Sequence, residues 1–194
     1  MGQDSAARLR KIPSLTGTAP PLDFNRLPSD PVTMFYSWLD AALAAGVAEP
    51  LAAMLATVDD DGVPDSRTLL LKDVDEQGWA FAGLASSRKG QQLARNPSAA
   101  LNLWWQPMAR AVRVRGIVME ATPAESHADL AARSPAAQAD VRPSDWRLWR
   151  IRPNRVEFWQ DATDRRHIRI TYTRDSEGWT LEEAPPGGAQ VQRP

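Results

Sequence analysis

From Leu51 onward, apolar residues recur at every second position in short runs separated by turn sequences. Successive side chains of a β-strand point to opposite faces, so this period is typical of strands with one buried face. Such runs cover residues 52–58, 66–72, 79–84, 99–105 and 111–120. Residues 59–62 and 73–78 are rich in aspartate and end in glycine, which indicates turns between strands. The pattern therefore predicts a fold dominated by antiparallel strands.

The segment before these strands has the period of a helix instead. Ser29 or Asp30 can accept hydrogen bonds from the first free backbone N–H groups, and Pro31 suits the first helical position. Gly46 favours the end of the helix. Between them, the predicted apolar stripe consists of Phe35, Trp38, Leu39, Ala42 and Leu43.

Two further helices and three further strands complete the predicted order. Ser86 or Ser87 caps a short helix that runs to about Arg95, and Asn96-Pro97 ends it. An alanine-rich helix is expected at residues 124–133, followed by a loop at residues 134–145. The last strands are expected at residues 155–160, 166–173 and 179–182. Many antiparallel strands with a few inserted helices indicate an α+β fold built on a small β-barrel.

The length of the chain favours a single domain. It has 194 residues, 43% of them hydrophobic, which is enough for one well-buried core. Residues 1–28 mix proline, glycine, serine and charge without a period, which predicts a partly disordered N-terminal arm. The predicted domain spans residues 29–185, and residues 186–194 are expected to form a disordered tail.

The charge and the missing residue types exclude several classes of function. The formal net charge is -1 and the pI is about 6.1, so no broad positive field is available for a nucleic acid. The chain has no cysteine, which excludes disulfides, thiolate metal ligands and a thiol nucleophile. It has neither an apolar leader segment nor a run of about 18 apolar residues. We expect a cytoplasmic protein with no membrane or nucleic-acid partner.

The segment Ser87-Arg-Lys-Gly90 stands at the start of the second predicted helix. Free backbone N–H groups, the positive end of the helix, a hydroxyl and two side-chain cations converge there, which favours binding of a phosphate. A simpler interpretation stays open at this point: Ser87 caps the helix while Arg88 and Lys89 face water.

Other basic residues follow a spacing that predicts where they point. Arg165, His167 and Arg169 would share one face of a regular strand, where they need an acid or an anionic ligand unless that face is simply solvated. Arg67 and Lys72 are five residues apart, which predicts opposite faces. The chain lacks a P-loop, a dinucleotide fingerprint, a nucleophile elbow and a zinc-protease motif, and we expect no metal site.

Taken in order, these segments resemble the pyridoxine (pyridoxamine) 5'-phosphate oxidases and the related flavin oxidases of phenazine biosynthesis. The resemblance runs from about residue 14 to residue 185 and includes Arg67-Thr-Leu-Leu-Leu-Lys72, Ser87-Arg-Lys-Gly90, Val156-Glu-Phe-Trp-Gln160 and the Arg-x-His-x-Arg run that starts at Arg165. It implies a split β-barrel homodimer that binds FMN at the subunit interface. It also implies an oxidase in which a small-molecule substrate delivers a hydride to flavin N5 and O2 is the acceptor.

The resemblance implies roles for individual residues. Arg67, Arg88 and Lys89 match positions that hold the FMN phosphate. The full set implied to bind FMN is Arg67, Thr68, Leu69, Leu70, Lys72, Ala82, Gly83, Ser87, Arg88, Lys89, Trp159 and Arg169. The set implied to bind the substrate is Lys72, Arg133, Arg165 and His167. Arg165 and His167 are also the implied catalytic residues, which act by positioning and electrostatics.

Several positions depart from the family pattern at the substrate end. Ala111 stands where the family has a glutamine, Asp129 where it has a tyrosine, and Ala137 where it has a serine. A carboxylate at Asp129 would repel a phosphate nearby. A stretch after Arg133 that carries a Gln-Ser pair in the family is missing. Two alternatives therefore accompany the pyridoxamine-phosphate-oxidase interpretation: a flavin oxidase of a different ring, such as a phenazine-type metabolite, and a non-catalytic protein that binds FMN or pyridoxal phosphate.

Overall fold

Strands make up most of the regular structure, as the sequence predicts. The computed structural model describes residues 2–162 and 164–184. Its helices are α1 Gly2–Arg10, α2 Pro31–Ala44, α3 Arg88–Arg95, α4 Pro123–Ala131 and α5 Pro135–Gln138. Its strands are β1 Ala52–Val58, β2 Pro64–Leu70, β3 Asp73–Asp75, β4 Gly78–Leu84, β5 Ser98–Trp105, β6 Arg110–Glu120, β7 Trp146–Gln160, β8 Ile168–Arg174 and β9 Trp179–Ala184. None of the helices within these two ranges has the length and apolar character needed to span a bilayer.

The described strands form one nine-stranded antiparallel sheet. Its strand order is β2-β1-β5-β6-β7-β4-β3, with β8 beside β7 and β9 beside β8. The sheet curls back on itself, because the backbone N–H of Lys72, just after β2, donates to the carbonyl of Ala80 on β4 at 2.8 Å. The predicted α+β class, with a predominantly antiparallel split barrel and a few helices, is thus confirmed as a curled half-barrel.

Helix α2 packs its apolar stripe against the inside of the sheet. Asp30 caps the helix by accepting hydrogen bonds from two backbone N–H groups of the first turn, as predicted. Phe35 meets Trp79 of β4 edge to face, with ring centroids 4.6 Å apart. The prediction that Leu43 belongs to the stripe is wrong, because Leu43 is 58% exposed whereas Ala42 is fully buried. Leu43 is one helical position beyond the face that meets the core.

Strand β7 begins at Trp146, so the prediction of a strand only from residue 155 is wrong. The prediction misses the first half of the strand because of Pro153, since proline rarely occurs in the middle of a strand. Here Pro153 lies opposite Gly116, where a bulge shifts the register between β6 and β7. A proline at a bulge removes no ladder hydrogen bond, so the strand continues on both sides of it.

Two predicted loops contain regular structure. Residues 73–78 were predicted as one turn, yet Asp73–Asp75 pairs with β4 as the short strand β3. The turn is tightened by Asp75, whose Oδ1 accepts the backbone N–H groups of Gln77 and Gly78 at 2.8 and 3.0 Å. Residues 134–145 were predicted as a loop, and they contain the single-turn helix α5. Elements of three or four residues are too short to leave a periodic signal in the sequence.

The predicted same-face row of Arg165, His167 and Arg169 is wrong. Strand β8 begins at Ile168, so only Arg169 belongs to it. Arg165 lies in a turn with a φ of 61°, and its backbone N–H donates to the carbonyl of Ala162 at 2.8 Å. The left-handed backbone of this turn breaks the alternation on which the prediction rested.

Hydrogen bonds join the N-terminal arm to the barrel, and in two of them the arm supplies a backbone carbonyl. The side chain of Gln160 donates to the carbonyl of Pro20 at 3.1 Å, and the hydroxyl of Tyr172 donates to that of Pro28 at 2.8 Å. Helix α1 lies within the arm, whose partial disorder stays a prediction. The predicted disordered tail, residues 186–194, lies outside the described residues.

The bulge between β6 and β7 requires a glycine. A Cβ on Gly116 would lie 2.0 Å from the carbonyl oxygen of Arg152, a backbone atom that cannot move without separating paired strands. We expect Gly116→Ala to lower the free energy of unfolding by about 1–3 kcal/mol, the usual cost of overpacking. Urea denaturation measures this loss. Gly62→Ala is the control, because a Cβ there meets no atom within 4 Å and carries only the strain of a φ of 80°; a loss at Gly62 as large as at Gly116 would contradict the steric explanation.

Candidate functional site

The first turn of α3 presents a capping hydroxyl and a partly buried ammonium group. Ser87 caps the helix, because its Oγ accepts the backbone N–H of Gly90, and Lys89 Nζ lies 3.2 Å from the same oxygen. A Cβ on Gly83 of β4 would lie 2.2 Å from Lys89 Nζ, so the glycine makes room for the ammonium. Arg88 is largely exposed, at 72% of its side chain. The two interpretations of this motif therefore combine: the serine caps, and Lys89 turns inward.

Arg67 brings a third cation to this place from β2. Its Nη1 donates to the hydroxyl of Thr57 and approaches the carbonyl oxygens of Leu55 and Asp65 at 3.4 and 3.3 Å. Its Nη2 donates to Oε1 of Gln92 on α3 at 3.3 Å. One edge of the guanidinium is thus held by neutral acceptors rather than by a carboxylate.

One carboxylate, Asp65, belongs to this group. Its Oδ2 accepts Nε2 of Gln92 and Nε of Arg88, both at 2.6 Å, and these two bonds hold the pKa of Asp65 below its ordinary value. We call Arg67, Arg88, Lys89 and Asp65 the cation cluster. Within residues 2–162 and 164–184, no other carboxylate forms an ion pair with its three cations, so its net charge is +2. A phosphate monoester dianion would balance that charge.

The cations of the cluster repel one another, and two of them, Arg67 and Lys89, are partly buried from solvent. Burial lowers the pKa of Lys89, and the charge of Arg67 lowers it further. Burial also lowers the pKa of Arg67, against the opposing effect of Asp65. The fold therefore holds like charges together without neutralising them, and an anion bound among them would relieve the repulsion.

The predicted site residues Trp159 and Arg169 lie elsewhere on the sheet. Ala111, Trp159 and Arg169 are cross-strand neighbours on β6, β7 and β8, and we call them the ring-side group. They border a recess of about 250 Å³. Trp159 faces away from the core, because its neighbour Phe158 is fully buried on the other face. The structure thus joins Trp159 with Arg169 but does not join them with Arg67, whose strand β2 is four steps from β7 in the order of paired strands.

The two predicted catalytic residues differ in their surroundings. His167 lies against Trp159, with ring centroids 4.9 Å apart. Its Nδ1 is 2.8 Å from Oδ1 of Asp161, although the two atoms are not aligned for a hydrogen bond. Arg165 is exposed in the turn before β8. The structure therefore places His167 at the edge of the ring-side group and Arg165 in the exposed turn two residues earlier.

Alternation along β2 separates the predicted flavin-contacting residues. Arg67 and Leu69 are half-buried on the core side, whereas Thr68 and Leu70 are exposed on the outer side. Leu71 is buried and Lys72 is exposed, so the alternation continues past the end of the strand. Arg67 and Lys72 consequently lie on opposite faces, as their spacing predicts. On β4, Ala82 is half-buried beside the buried Gly83.

Of the predicted substrate-binding residues, Lys72 forms an ion pair with Asp129, and Arg133 lies over the indole ring of Trp146. Lys72 Nζ lies 3.3 Å from Oδ1 of Asp129, and the indole N–H of Trp146 donates to the other oxygen at 2.9 Å. The guanidinium of Arg133 lies 4.4 Å from the Trp146 ring, and in the described part of the chain it forms no ion pair. Lys72, Asp129 and Arg133 together carry a net charge of +1, so this group is less cationic than the cation cluster.

Four contributing residues escaped the sequence prediction, and three of them had a local signal. Gln92 follows Arg88 by one helical turn on α3, so the two side chains share a face. Thr57 and Asp65 are directly opposed across the β1–β2 hairpin, a pairing that the turn at residues 59–62 implies. Trp146 was hidden in the predicted loop before β7.

The space left by Gly83 allows a direct test of the cation cluster. Gly83→Ala would push the flexible end of Lys89 aside, which costs little stability but displaces the ammonium. We expect the affinity for FMN, the cofactor that the resemblance implies, to fall about tenfold while the thermal midpoint stays nearly unchanged. Quenching of FMN fluorescence measures the affinity. Unchanged affinity in a stable variant would contradict the assignment of Lys89.

The lowered pKa of Lys89 predicts an alkaline loss of binding. Lys89 is charged below its pKa and neutral above it, so affinity for a phosphate dianion should be full at about pH 7 and fall as pH rises through the lowered pKa. FMN affinity measured from about pH 7 to about pH 10 should show this fall earlier than an ordinary lysine would give. Lys89→Arg keeps its proton across this range and should lose the fall. The same fall in both proteins would contradict the prediction.

Two family models match the chain. One, described as "Pyridoxamine 5'-phosphate oxidase", matches residues 39–160, which is more than half of the chain. The other, described as "Pyridoxine 5'-phosphate oxidase C-terminal dimerisation region", matches residues 146–186. The second span contains Trp159 and Arg169 of the ring-side group.

Similar proteins and solved structures agree with these matches. A protein of Bradyrhizobium sp. strain BTAi1 named pyridoxine/pyridoxamine 5'-phosphate oxidase is 37% identical over 186 residues, which cover 78% of this chain and 86% of the relative. Its counterpart from Nostoc punctiforme is 36% identical over 216 residues, with 94% of this chain and 99% of the relative covered.

Among solved structures, PhzG from Burkholderia lata 383, in complex with tetrahydrophenazine-1-carboxylic acid, has a TM-score of 0.80 and 27% identity, with 88% of this chain and all of that one covered. A pyridoxamine 5'-phosphate oxidase-related, FMN binding protein from Nostoc punctiforme shares the fold, with a TM-score of 0.62 and 19% identity over 78% of this chain and 97% of that one. The resemblance stated from the motifs is therefore confirmed, and the chain belongs to the FMN-binding pyridoxamine 5'-phosphate oxidase family.

Proposed function

We propose that this chain is an FMN-dependent oxidase that works as a homodimer and oxidises a small ring-shaped substrate. The observation that carries the proposal is the cation cluster, whose net charge of +2 suits the phosphate end of FMN. Gly83 leaves space beside the ammonium of Lys89, and Arg67 and Lys89 have no acid of their own within the described ranges. When bound, FMN would accept two electrons from the substrate and pass them to O2, which yields hydrogen peroxide.

The ring-side group supports a site made by two chains. Arg67 points to the core side of β2, whereas Trp159 points outward from β7. In the order of paired strands they are four steps apart, and they lie on opposite faces of the sheet. One flavin cannot contact both groups of a single chain from opposite faces of the sheet. A second copy that brings its ring-side group to the cation cluster would complete the site.

An exposed apolar surface is available for that second copy. Met54 of β1, Leu70 of β2 and Trp104 of β5 are 46%, 56% and 39% exposed on the outer face of the sheet. Apolar side chains clustered on one face commonly mark a protein interface. Trp104 also lies beside Ala111 across β5 and β6, so this surface is continuous with the ring-side group.

The residues near the ring-side group would position the substrate. Trp159 offers a flat apolar wall, and Arg169 beside it supplies a positive charge. His167 packs against the same tryptophan ring, with Asp161 beside its Nδ1. We assign His167 and Arg165 to orienting the substrate and balancing its charge, because a reaction at the flavin needs aligned rings rather than a protein nucleophile.

Two substrate classes follow from the group around Lys72. The first is pyridoxine or pyridoxamine 5'-phosphate, the substrates in the names of the curated relatives, with Lys72 and Arg133 as the phosphate-binding cations. The second is a ring without a phosphate, and the ion pair between Lys72 and Asp129 favours it. Because the pair itself is neutral, Lys72, Asp129 and Arg133 together keep a net charge of +1 from Arg133. This charge suits one carboxylate better than a phosphate dianion. The ligand in the PhzG structure is a ring that carries one carboxylic acid.

Aerobic turnover tests the proposal. Full-length protein loaded with FMN is incubated with pyridoxine 5'-phosphate, pyridoxamine 5'-phosphate or tetrahydrophenazine-1-carboxylic acid, and hydrogen peroxide and flavin bleaching are followed. We expect peroxide with at least one of these substrates. Protein that binds FMN but gives no peroxide with any of them would contradict the oxidase proposal and favour a non-catalytic binding role.

Asp129→Asn distinguishes the two substrate classes. Removing the carboxylate frees Lys72, so kcat/KM for pyridoxine 5'-phosphate should rise about tenfold relative to that for the ring carboxylic acid. Asp145→Asn is the matched control, because Asp145 bonds to Ser86 instead. An equal change of kcat/KM for both substrates would show that Asp129 does not distinguish substrates by their charge.

A further inference from the structure

A buried polar network stands behind Arg67. Thr57 is fully buried, and Gln92 is only 6% exposed. The hydroxyl of Thr57 accepts a hydrogen bond from Nη1 of Arg67 and donates one to Oε1 of Gln92. Oε1 of Gln92 also accepts from Nη2 of Arg67, while its Nε2 donates to Asp65. Both ends of the Gln92 amide are therefore engaged.

The partners of Gln92 permit only one orientation of its amide. In the observed orientation, the oxygen faces two donors and the NH2 group faces the carboxylate of Asp65. A flip would place the NH2 group against the guanidinium of Arg67 and the amide oxygen against the carboxylate. Both contacts would then be repulsive in a low-dielectric environment, so the network holds one arrangement.

Counting the donors of Arg67 shows what the network leaves open. A guanidinium has five N–H donors. Nη1 is directed at Thr57 and at two backbone carbonyls, and Nη2 gives one hydrogen to Gln92. The acceptor atoms Oγ1 of Thr57 and Oε1 of Gln92 are only 2.5 Å apart, so both accept hydrogen bonds from the end of the guanidinium that carries Nη1 and Nη2. Among the described residues, the side edge formed by Nε–H and the second Nη2–H meets no acceptor, and this edge suits a bidentate phosphate.

We propose that Thr57 and Gln92 are positioning residues, which occupy the end of the Arg67 guanidinium and thereby direct its side edge at the phosphate of the cofactor. The inference rests on the proposed function, because it concerns how the same cation cluster takes FMN. Asp65 extends the effect to the second arginine, since its Oδ2 accepts from both Gln92 and Arg88. One buried amide thus couples the two guanidinium groups.

Comparison of FMN with riboflavin tests this role, because riboflavin has the same ring system but no phosphate. Thr57→Val removes the hydroxyl at nearly constant volume, and Thr57→Ser retains it. We expect Thr57→Val to weaken FMN binding about tenfold and riboflavin binding less than about twofold, as expected for one lost charge-assisted contact. Thr57→Ser should keep the wild-type ratio of the two affinities. Fluorescence quenching on the flavin-free full-length protein gives both values.

Gln92→Leu provides an independent second variant, with Gln91→Leu as its matched control. Gln91 is exposed on the same helix and bonds only to the carbonyl of Ser86 among its described contacts. We expect Gln92→Leu to lower the ratio of FMN to riboflavin affinity about tenfold and Gln91→Leu to leave it unchanged.

The outcomes separate this inference from the proposed function. Equal losses for FMN and riboflavin in Thr57→Val and Gln92→Leu would show a merely structural role, and no loss in either variant would overturn the inference as well. In both cases a wild-type protein that binds FMN more tightly than riboflavin leaves the proposed function standing. A wild-type protein that binds neither flavin would instead contradict the proposed function itself.

Discussion

The candidate site depends on keeping Arg67 and Lys89 close together and partly out of water. Each of these conditions lowers the pKa of Lys89, so the arrangement is unfavourable for the protein without an anion. The fold sustains it with neutral groups: acceptors on Thr57 and Gln92 hold one edge of Arg67, and the missing side chain of Gly83 makes room for Lys89. A carboxylate in their place would relieve the repulsion and remove the reason to bind a phosphate.

The two cationic groups of the chain are built on different principles. In the cation cluster, three cations face one carboxylate, and Asp65 is turned toward Arg88 and Gln92. In the group around Lys72, two cations face one carboxylate, and Asp129 pairs directly with the lysine. The cation cluster keeps a net charge of +2, which matches a dianion. In the group around Lys72, Asp129 neutralises one of the two positive charges. The first group therefore suits a phosphate dianion better than the second group does.

Much of this could be predicted from the sequence, and the failures have physical causes. The cap at Asp30 and the motif at Ser87 are local, so their geometry follows from a few neighbouring residues. Strand β7 was cut short because Pro153 is tolerated only at a bulge that depends on β6. The network of Thr57 and Gln92 joins a strand to a helix 35 residues away, and no local pattern shows such a contact. Register and bulges are properties of paired strands rather than of either strand alone.

The half-barrel also bears on the proposed cofactor site between two chains. The inner face is filled by α2 and the core, and the ring-side group lies on the outer face, where Trp104 and Leu70 are 39% and 56% exposed. The cation cluster lies at the opposite side of the sheet and carries uncompensated charge. A second copy of the chain would cover the exposed apolar surface, and an anionic cofactor would balance the positive charge of the cation cluster. Because one ligand would touch both chains, its binding and the association of the chains would stabilise each other.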